Sequence, residues 1–238
     1  MRFKALSNKG EIRSTNEDNF FVNEDLNFFM VADGMGGHAA GEVASRIAVE
    51  VSSKFKFDLS APLKSLKNLT FKINEEIINK SATNQDYTGM GTTFASVIVR
   101  DKKLYYVNLG DSRIYLYNKN DQELNKISKD HSLVANLLRE GKITEEEAFN
   151  HPKKNIVTQA LGLEKDLDLD QGEVDFLNEN YILLCTDGLT DLVRNKEIEK
   201  IFNSSNDLSK ISDELLQRAL DNGGSDNITL IVAGYNEK

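Results

Sequence analysis

The 238-residue chain has one cysteine, three histidines and no apolar run long enough to span a bilayer. A single thiol cannot close an internal disulfide. Cys185 ends the apolar stretch Tyr181-Ile182-Leu183-Leu184-Cys185, so it reads as a small buried side chain, and thiolate metal sites are excluded. The opening residues, Met1-Arg2-Phe3-Lys4-Ala5-Leu6-Ser7-Asn8-Lys9-Gly10, lack the continuous apolar core of a signal peptide, so a soluble, cytoplasmic protein is expected. Cations are also in deficit, with 29 Lys and Arg against 38 Asp and Glu, a net charge of −9. Without a basic stripe, neither nucleic acid nor an anionic membrane suits as main partner, because both bind through neutralised phosphates. Charged residues (28%) are spread without blocks or a linker, and 39% hydrophobic residues suffice for a core, so residues 1–238 read as one domain.

Periodicity supplies the elements. Residues 19–22 and 28–32 read as strands joined by the polar turn Asn23-Glu24-Asp25-Leu26-Asn27. Val43, Ile47, Val51 and Phe55 recur every four positions beside Ala44 and Ala48, predicting a helix over 41–55 with one buried stripe. Leu66, Leu69, Ile73 and Ile77 predict a second helix from Pro62 to about residue 80, with proline in its first turn. The period then becomes that of strands at 93–99, 104–109, 113–117 and 124–127, an antiparallel meander. Short helices are expected at 133–138 and 144–149, the second opening on the capping box Thr144-Glu145-Glu146-Glu147. With the irregular passage through His151-Pro152, the stretch 133–152 reads as a mobile, flap-like insertion that selects peptides. A strand at 181–185, helices at 195–202 and 208–221 and a strand at 228–233 complete the order. Helices and strands do not alternate as parallel βαβ units must, so a layered α+β sandwich of antiparallel sheets is expected.

Two readings compete for Val31-Ala32-Asp33-Gly34-Met35-Gly36-Gly37-His38-Ala39-Ala40-Gly41-Glu42. Gly34 to Ala39 satisfies G-x-G-x-x-A, a dinucleotide loop, but the polar segment 56–64 follows where a parallel strand should come. The other reading starts at Asp33, a carboxylate at a strand end followed by glycines that let the chain turn. Asp187-Gly188 repeats that arrangement after Leu183-Leu184-Cys185-Thr186; Asp111 follows Val107-Asn108-Leu109-Gly110, and Asp18 and Asp226 precede strands. Singly these are turn residues. Brought to one sheet edge, they would repel by roughly 4 kcal/mol per pair at about 4 Å and an effective dielectric near 20, so the cluster would need protons or cations. With no His or Cys cluster the ligands are hard oxygens, which suit Mg²⁺ or Mn²⁺.

Six motifs now stand in order: Gly10-Glu11-Ile12-Arg13-Ser14-Thr15-Asn16-Glu17-Asp18, Val31 to His38, Gly89-Met90-Gly91-Thr92-Thr93, Gly110-Asp111-Ser112-Arg113, Cys185-Thr186-Asp187-Gly188-Leu189-Thr190-Asp191 and Gly224-Ser225-Asp226-Asn227-Ile228-Thr229. In them the chain resembles, over essentially its whole length, the metal-dependent serine/threonine protein phosphatases of type 2C, especially the short bacterial members. The resemblance implies a four-layer α-β-β-α sandwich with two central antiparallel β-sheets, one catalytic domain over 1–238 and a flap around 133–152. It implies two Mn²⁺ or Mg²⁺ ions per subunit at one end of the sheets, with a third, weaker site. Asp33 matches the residue bridging the two metals, and Gly34 matches the glycine whose carbonyl ligates one of them. Asp187 and Asp226 match the other direct ligands, Asp18 matches an acidic residue beside the pair, and Asp111 joins Asp187 at the third site. Arg13 matches the phosphate-binding arginine, whose planar fork takes two oxygens at once. Asn227 reads as a brace for Asp226 or its turn.

The implied reaction is hydrolysis of phosphoserine and phosphothreonine in proteins by direct attack of a metal-activated water. Phosphorylated proteins and a cognate serine/threonine kinase are the implied partners of a monomer. In eukaryotic relatives a histidine directly follows the Asp-Gly pair, where this chain has Met35, so His38 is the candidate general acid, with His151 and metal-bound water as alternatives. A regulatory or partner-switching module without general turnover would share the fold, but loss of a metal carboxylate is its usual mark, and all five are present.

Overall fold

The computed structural model describes residues 1–37 and 40–235. In chain order the strands are β1 (Arg2–Asn8), β2 (Asp18–Asn23) and β3 (Phe28–Met35), followed by helices α1 (Ala40–Lys54) and α2 (Pro62–Thr83). Five strands come next: β4 (Gly91–Thr92), β5 (Phe94–Arg100), β6 (Lys103–Leu109), β7 (Arg113–Asn118) and β8 (Glu123–Lys126). After α3 (Leu133–Arg139) and α4 (Glu145–Phe149) the chain returns through β9 (Asp170–Asp175) and β10 (Asn180–Cys185). It closes with α5 (Asp187–Thr190), α6 (Asn195–Ser204), α7 (Leu208–Asp221) and β11 (Ile228–Gly234).

Strand alternation decides how these pack, since successive side chains leave a strand on opposite faces. In β3, Phe28, Met30 and Ala32 face α1 and α2, where Leu66, Ile73 and Ile77 cover them. Phe29 and Val31 face the other way, toward Ile182 and Leu184 of β10 and Ile231 and Ala233 of β11. The opposite faces of β10 and β11 carry Tyr181, Leu183, Cys185, Leu230 and Val232, which pack on Ile198, Phe202, Ile211 and Leu215 of α6 and α7. Three apolar layers thus bind four structural ones: α1–α2, sheet, sheet, α5–α7. Among the described residues one sheet runs β1-β11-β10-β7-β8 and the other β2-β3-β5-β6-β9, with β4 paired to the end of β3. The α+β four-layer sandwich is therefore observed.

Among the described residues all the strand pairings are antiparallel, which does not suit the dinucleotide fold, since that fold needs a parallel βαβ unit at its glycine loop. Three strands have no counterpart in the sequence reading: the short β4, just before the strand expected at 93–99, and the edge strands β1 and β9. β1 pairs with β11, and β9, Asp-Gln-Gly-Glu-Val-Asp, pairs with β6, its polar composition hiding an edge strand with a single apolar side chain. The expected end of a strand at Ala32 is also corrected. β3 continues through Asp33 and Gly34 to Met35 because β4 hydrogen-bonds to Gly34 and Met35. No helix among the described residues is long and apolar enough to cross a membrane.

Candidate metal centre

Asp18 opens β2 directly opposite Asp33 in the β2–β3 register. Asp33 is fixed through its backbone: its N–H donates to Thr93 Oγ1 (2.9 Å), and its carbonyl accepts from Thr93 N–H (2.9 Å) and Thr92 Oγ1 (2.8 Å). Thr93 Oγ1 is in turn 2.7 Å from Ser112 Oγ, beside Asp111. Asp187 enters from the second sheet as the first residue of α5, and its carboxyl lies within hydrogen-bonding reach of that of Asp33. Asp226 precedes β11 and accepts from Arg13 Nη2 on Oδ2 (2.7 Å). The ends of both sheets thus bring together all five aspartates singled out by the sequence.

Glycine serves this site by permitting close approach. A Cβ on Gly34 would meet the Gly41 carbonyl oxygen at 2.2 Å, and one on Gly188 the Asn227 oxygen at 2.0 Å. In both Asp-Gly pairs the missing side chain lets a second backbone pack directly against the pair. Gly34 lies in an extended strand, so the sharp turn expected there is replaced by this packing role.

The electrostatics are those of crowded like charges. Burial pushes the Asp18 carboxyl up to about 7, with Asp187 and Asp226 adding to the rise, although Thr186 Oγ1 donates to Asp18 Oδ2 at 2.8 Å. Asp187 is likewise pushed up to about 7 by burial and by the charges of Asp191 and Asp226. Asp33 and Asp111 are held well above the usual carboxylate range, Asp33 by burial and by Asp18, Asp187, Asp111 and Asp226, Asp111 by burial and by Asp187 and Asp130. Buried Oδ1 atoms of Asp18 and Asp187 have no hydrogen-bond partner. An orphaned buried carboxylate oxygen is costly, and a hard cation is the partner that would satisfy several at once. Among the described residues no three His, Cys, Asp or Glu side chains converge closely enough to hold an ion unaided. Mg²⁺ tolerates that, taking one or two carboxylates and keeping several waters. The donor set therefore fits hard divalent ions whose shells are completed by carbonyls and water.

Supporting residues come from unexpected directions. The Asn227 amide accepts from Glu17 N–H (2.8 Å) and donates to the carbonyls of Lys9 and Thr15 (both 2.9 Å), so it ties down the loop carrying Arg13. Thr186 accepts from Thr229 N–H (3.0 Å) while donating to Asp18. Asp191, one helical turn after Asp187, binds Lys154 Nζ at 3.0 Å, which anchors the segment after α4 beside the cluster. Its i+4 spacing from Asp187 was the available signal. At the other end of that segment His131 N–H donates to the Gly110 carbonyl (2.8 Å), and His131 Nδ1 accepts from Gly110 N–H (3.1 Å). His151, the alternative acid, accepts from Lys153 N–H through Nδ1 (3.1 Å). His38 lies outside the described residues.

The sequence profile of the family described as protein phosphatase 2C matches residues 13–229. The chain is 40% identical over 241 residues to the serine/threonine phosphatase stp of Listeria monocytogenes, covering 98% of this chain and 95% of the relative. Among solved structures it is similar to the Mycobacterium tuberculosis serine/threonine phosphatase PstP/Ppp, with a TM-score of 0.91, 33% identity and 99% of each chain covered. It is also similar to the catalytic domain of PstP in complex with two manganese ions, with a TM-score of 0.86, 33% identity, and 97% and 96% of the two chains covered.

Proposed function

The chain belongs to the protein phosphatase 2C family, and on that premise we propose that it hydrolyses phosphoserine and phosphothreonine in proteins at the five-aspartate end of its sheets, with Mn²⁺ or Mg²⁺. The observation that carries this reading is the cluster itself, in which buried Asp18 and Asp187 oxygens lack partners and neighbouring carboxylates raise one another's pKa. Asp33, the Gly34 carbonyl, Asp187 and Asp226 would hold two ions, Asp18 would stand beside them, and Asp111 with Asp187 would hold a weaker third. Divalent ions bound there would bring the pKa of a coordinated water toward neutrality and offset charge on the phosphoryl group.

The remaining roles belong to side chains. Arg13 would bind phosphoryl oxygens through its fork; one Nη is already oriented by Asp226, and the side chain is about half exposed at 52%. Thr186 would hold the Asp18 carboxylate in place against its neighbours, the Thr93–Ser112 pair would fix the Asp33 backbone, and Asn227 would hold the Arg13 loop. We keep His38 as the candidate proton donor to the departing seryl or threonyl oxygen. Its replacement by alanine should then lower kcat on phosphothreonine peptides and spare nitrophenyl phosphate, whose phenolate leaves unaided. Residues 133–152 would contact the peptide, and phosphorylated proteins with their kinase in the cytoplasm are the partners this activity requires.

The deciding experiment titrates Mn²⁺ and Mg²⁺ into chelated protein and follows phosphate release from phosphoserine, phosphothreonine and phosphotyrosine peptides. Metal-dependent release from the first two is expected. Full activity in excess chelator would overturn the reading.

A further inference from the structure

On the outer face of the β2-β3-β5-β6-β9 sheet, α1 and α2 enclose a groove of about 460 Å³, within the size range of ligand-binding clefts. Its floor is an apolar stripe spaced four residues apart on α1, the half-buried Ile47 and Val51 with the buried Val43 at one end. Its walls carry two rows with the same order of signs, Arg46-Glu50-Lys54 from α1 and Lys72-Glu76-Lys80 from α2. Arg46 is already paired with Glu42 (3.4 Å) and Glu50 (3.8 Å). Among the described residues no carboxylate lies within ion-pair distance of Lys54, Lys72 or Lys80, and the Lys80 ammonium rests 5.5 Å from the centre of the Tyr87 ring.

This is a local reversal of charge on a chain of net charge −9. An extended polyanion would be repelled by the acidic remainder of the surface, whereas a short acidic segment meets the lysines at contact distance, within the screening length. The aliphatic floor selects further, because apolar side chains fill it and phosphate groups do not. We propose that the α1–α2 groove docks an acidic amphipathic peptide segment of a protein partner. Its apolar side chains lie on Val43, Ile47 and Val51, and its carboxylates lie over Lys54, Lys72 and Lys80.

The test uses the full chain and a fluorescein-labelled amphipathic peptide built from Glu and Leu, read by fluorescence anisotropy. Lys54→Glu/Lys72→Glu/Lys80→Glu should weaken binding about tenfold or more, since three exposed contacts are each reversed in sign. Ile47→Ala should weaken it severalfold by removing floor area. Both variants should keep wild-type turnover of nitrophenyl phosphate, which reports the carboxylate site separately, so failure of either reading is distinguishable. Should the triple reversal melt well below wild type, Lys54→Gln/Lys72→Gln/Lys80→Gln carries the same expectation with a smaller loss. The proposal is overturned by any of four results: no binding to wild type, equal binding to the variants, equal binding of a polyglutamate peptide without leucine, or stronger lysine-dependent capture of phosphatidylserine vesicles or oligothymidylate.

Discussion

Replacing Asp18 with asparagine should stabilise the metal-free protein at pH 7.5 and blunt its response to divalent ions. The Asp18 side chain is 4% exposed, and burial pushes its carboxyl from 3.8 up to about 7 in the folded chain. A carboxyl raised in the folded state holds a proton that the unfolded state has released, so stability falls as pH rises between those two values. Above the folded value the penalty is complete. About three pKa units correspond to roughly 4 kcal/mol as an upper limit. Asp33 and Asp187 titrate together with Asp18, so a single neutralisation should recover about half, roughly 2 kcal/mol. For a protein of this size that is a gain of roughly 4–8 °C in Tm. Asparagine keeps an oxygen for the Thr186 hydroxyl now bound to Asp18, so the shape of the site should survive.

Calorimetry in chelator at pH 4, 6 and 7.5 measures the difference between the two proteins. It should be near zero at pH 4, where the wild-type carboxyl is already protonated, and grow toward pH 7.5. Comparing the two proteins at equal pH cancels every contribution they share. Added Mn²⁺ should raise the wild type more than the variant and so narrow the gap, because an ion at about 100 times its Kd adds roughly 2.7 kcal/mol and the variant, which keeps the direct ligands, would bind it more weakly. Equal melting at pH 7.5 in chelator, or a less stable variant, would refute the claim that Asp18 sits in an uncompensated carboxylate cluster.

Asp33→Asn and Asp187→Asn should each reduce kcat severely with phosphothreonine peptides while the chelated proteins melt no lower than wild type; near-normal rates at low metal would remove them from the centre. Arg13→Ala should raise KM for phosphopeptides by roughly tenfold or more, the loss of a charge-assisted contact worth about 1.5–3 kcal/mol, and an unchanged KM would take Arg13 out of the site. Gly34→Ala should destabilise by at least ~1–3 kcal/mol, because the new methyl falls 2.2 Å from the Gly41 carbonyl oxygen, and a wild-type melting curve would show that α1 yields freely.

Much of this architecture was legible in one dimension because burial periodicity is a local property of sequence. Alternation in Phe28-Phe29-Met30-Val31-Ala32 and in Ile182-Leu183-Leu184-Cys185 already separates the two faces that contact different layers. The four-residue spacing of Val43, Ile47 and Val51 likewise marks a helix face. The five aspartates could be singled out because each adjoins a recognisable strand. Edge strands β1 and β9 escaped because few of their side chains enter a core; their pairing with β11 and β6 is made by backbone hydrogen bonds, which carry no residue signature.

Sequence alone determined which residues alternate, which carboxylates adjoin strands and that no thiol or histidine cluster competes with them. Tertiary structure decided everything that depends on distance between remote segments. Asp18 meets Thr186 across 168 positions, and Asn227 reaches back to Lys9 and Thr15. Gly34 and Gly188 are glycines because backbones from α1 and from the turn before β11 press on them, a steric demand invisible until those elements are packed. The raised carboxyl pKa values belong to the same class, since Coulomb repulsion and desolvation depend on separation and burial in space and not on chain order.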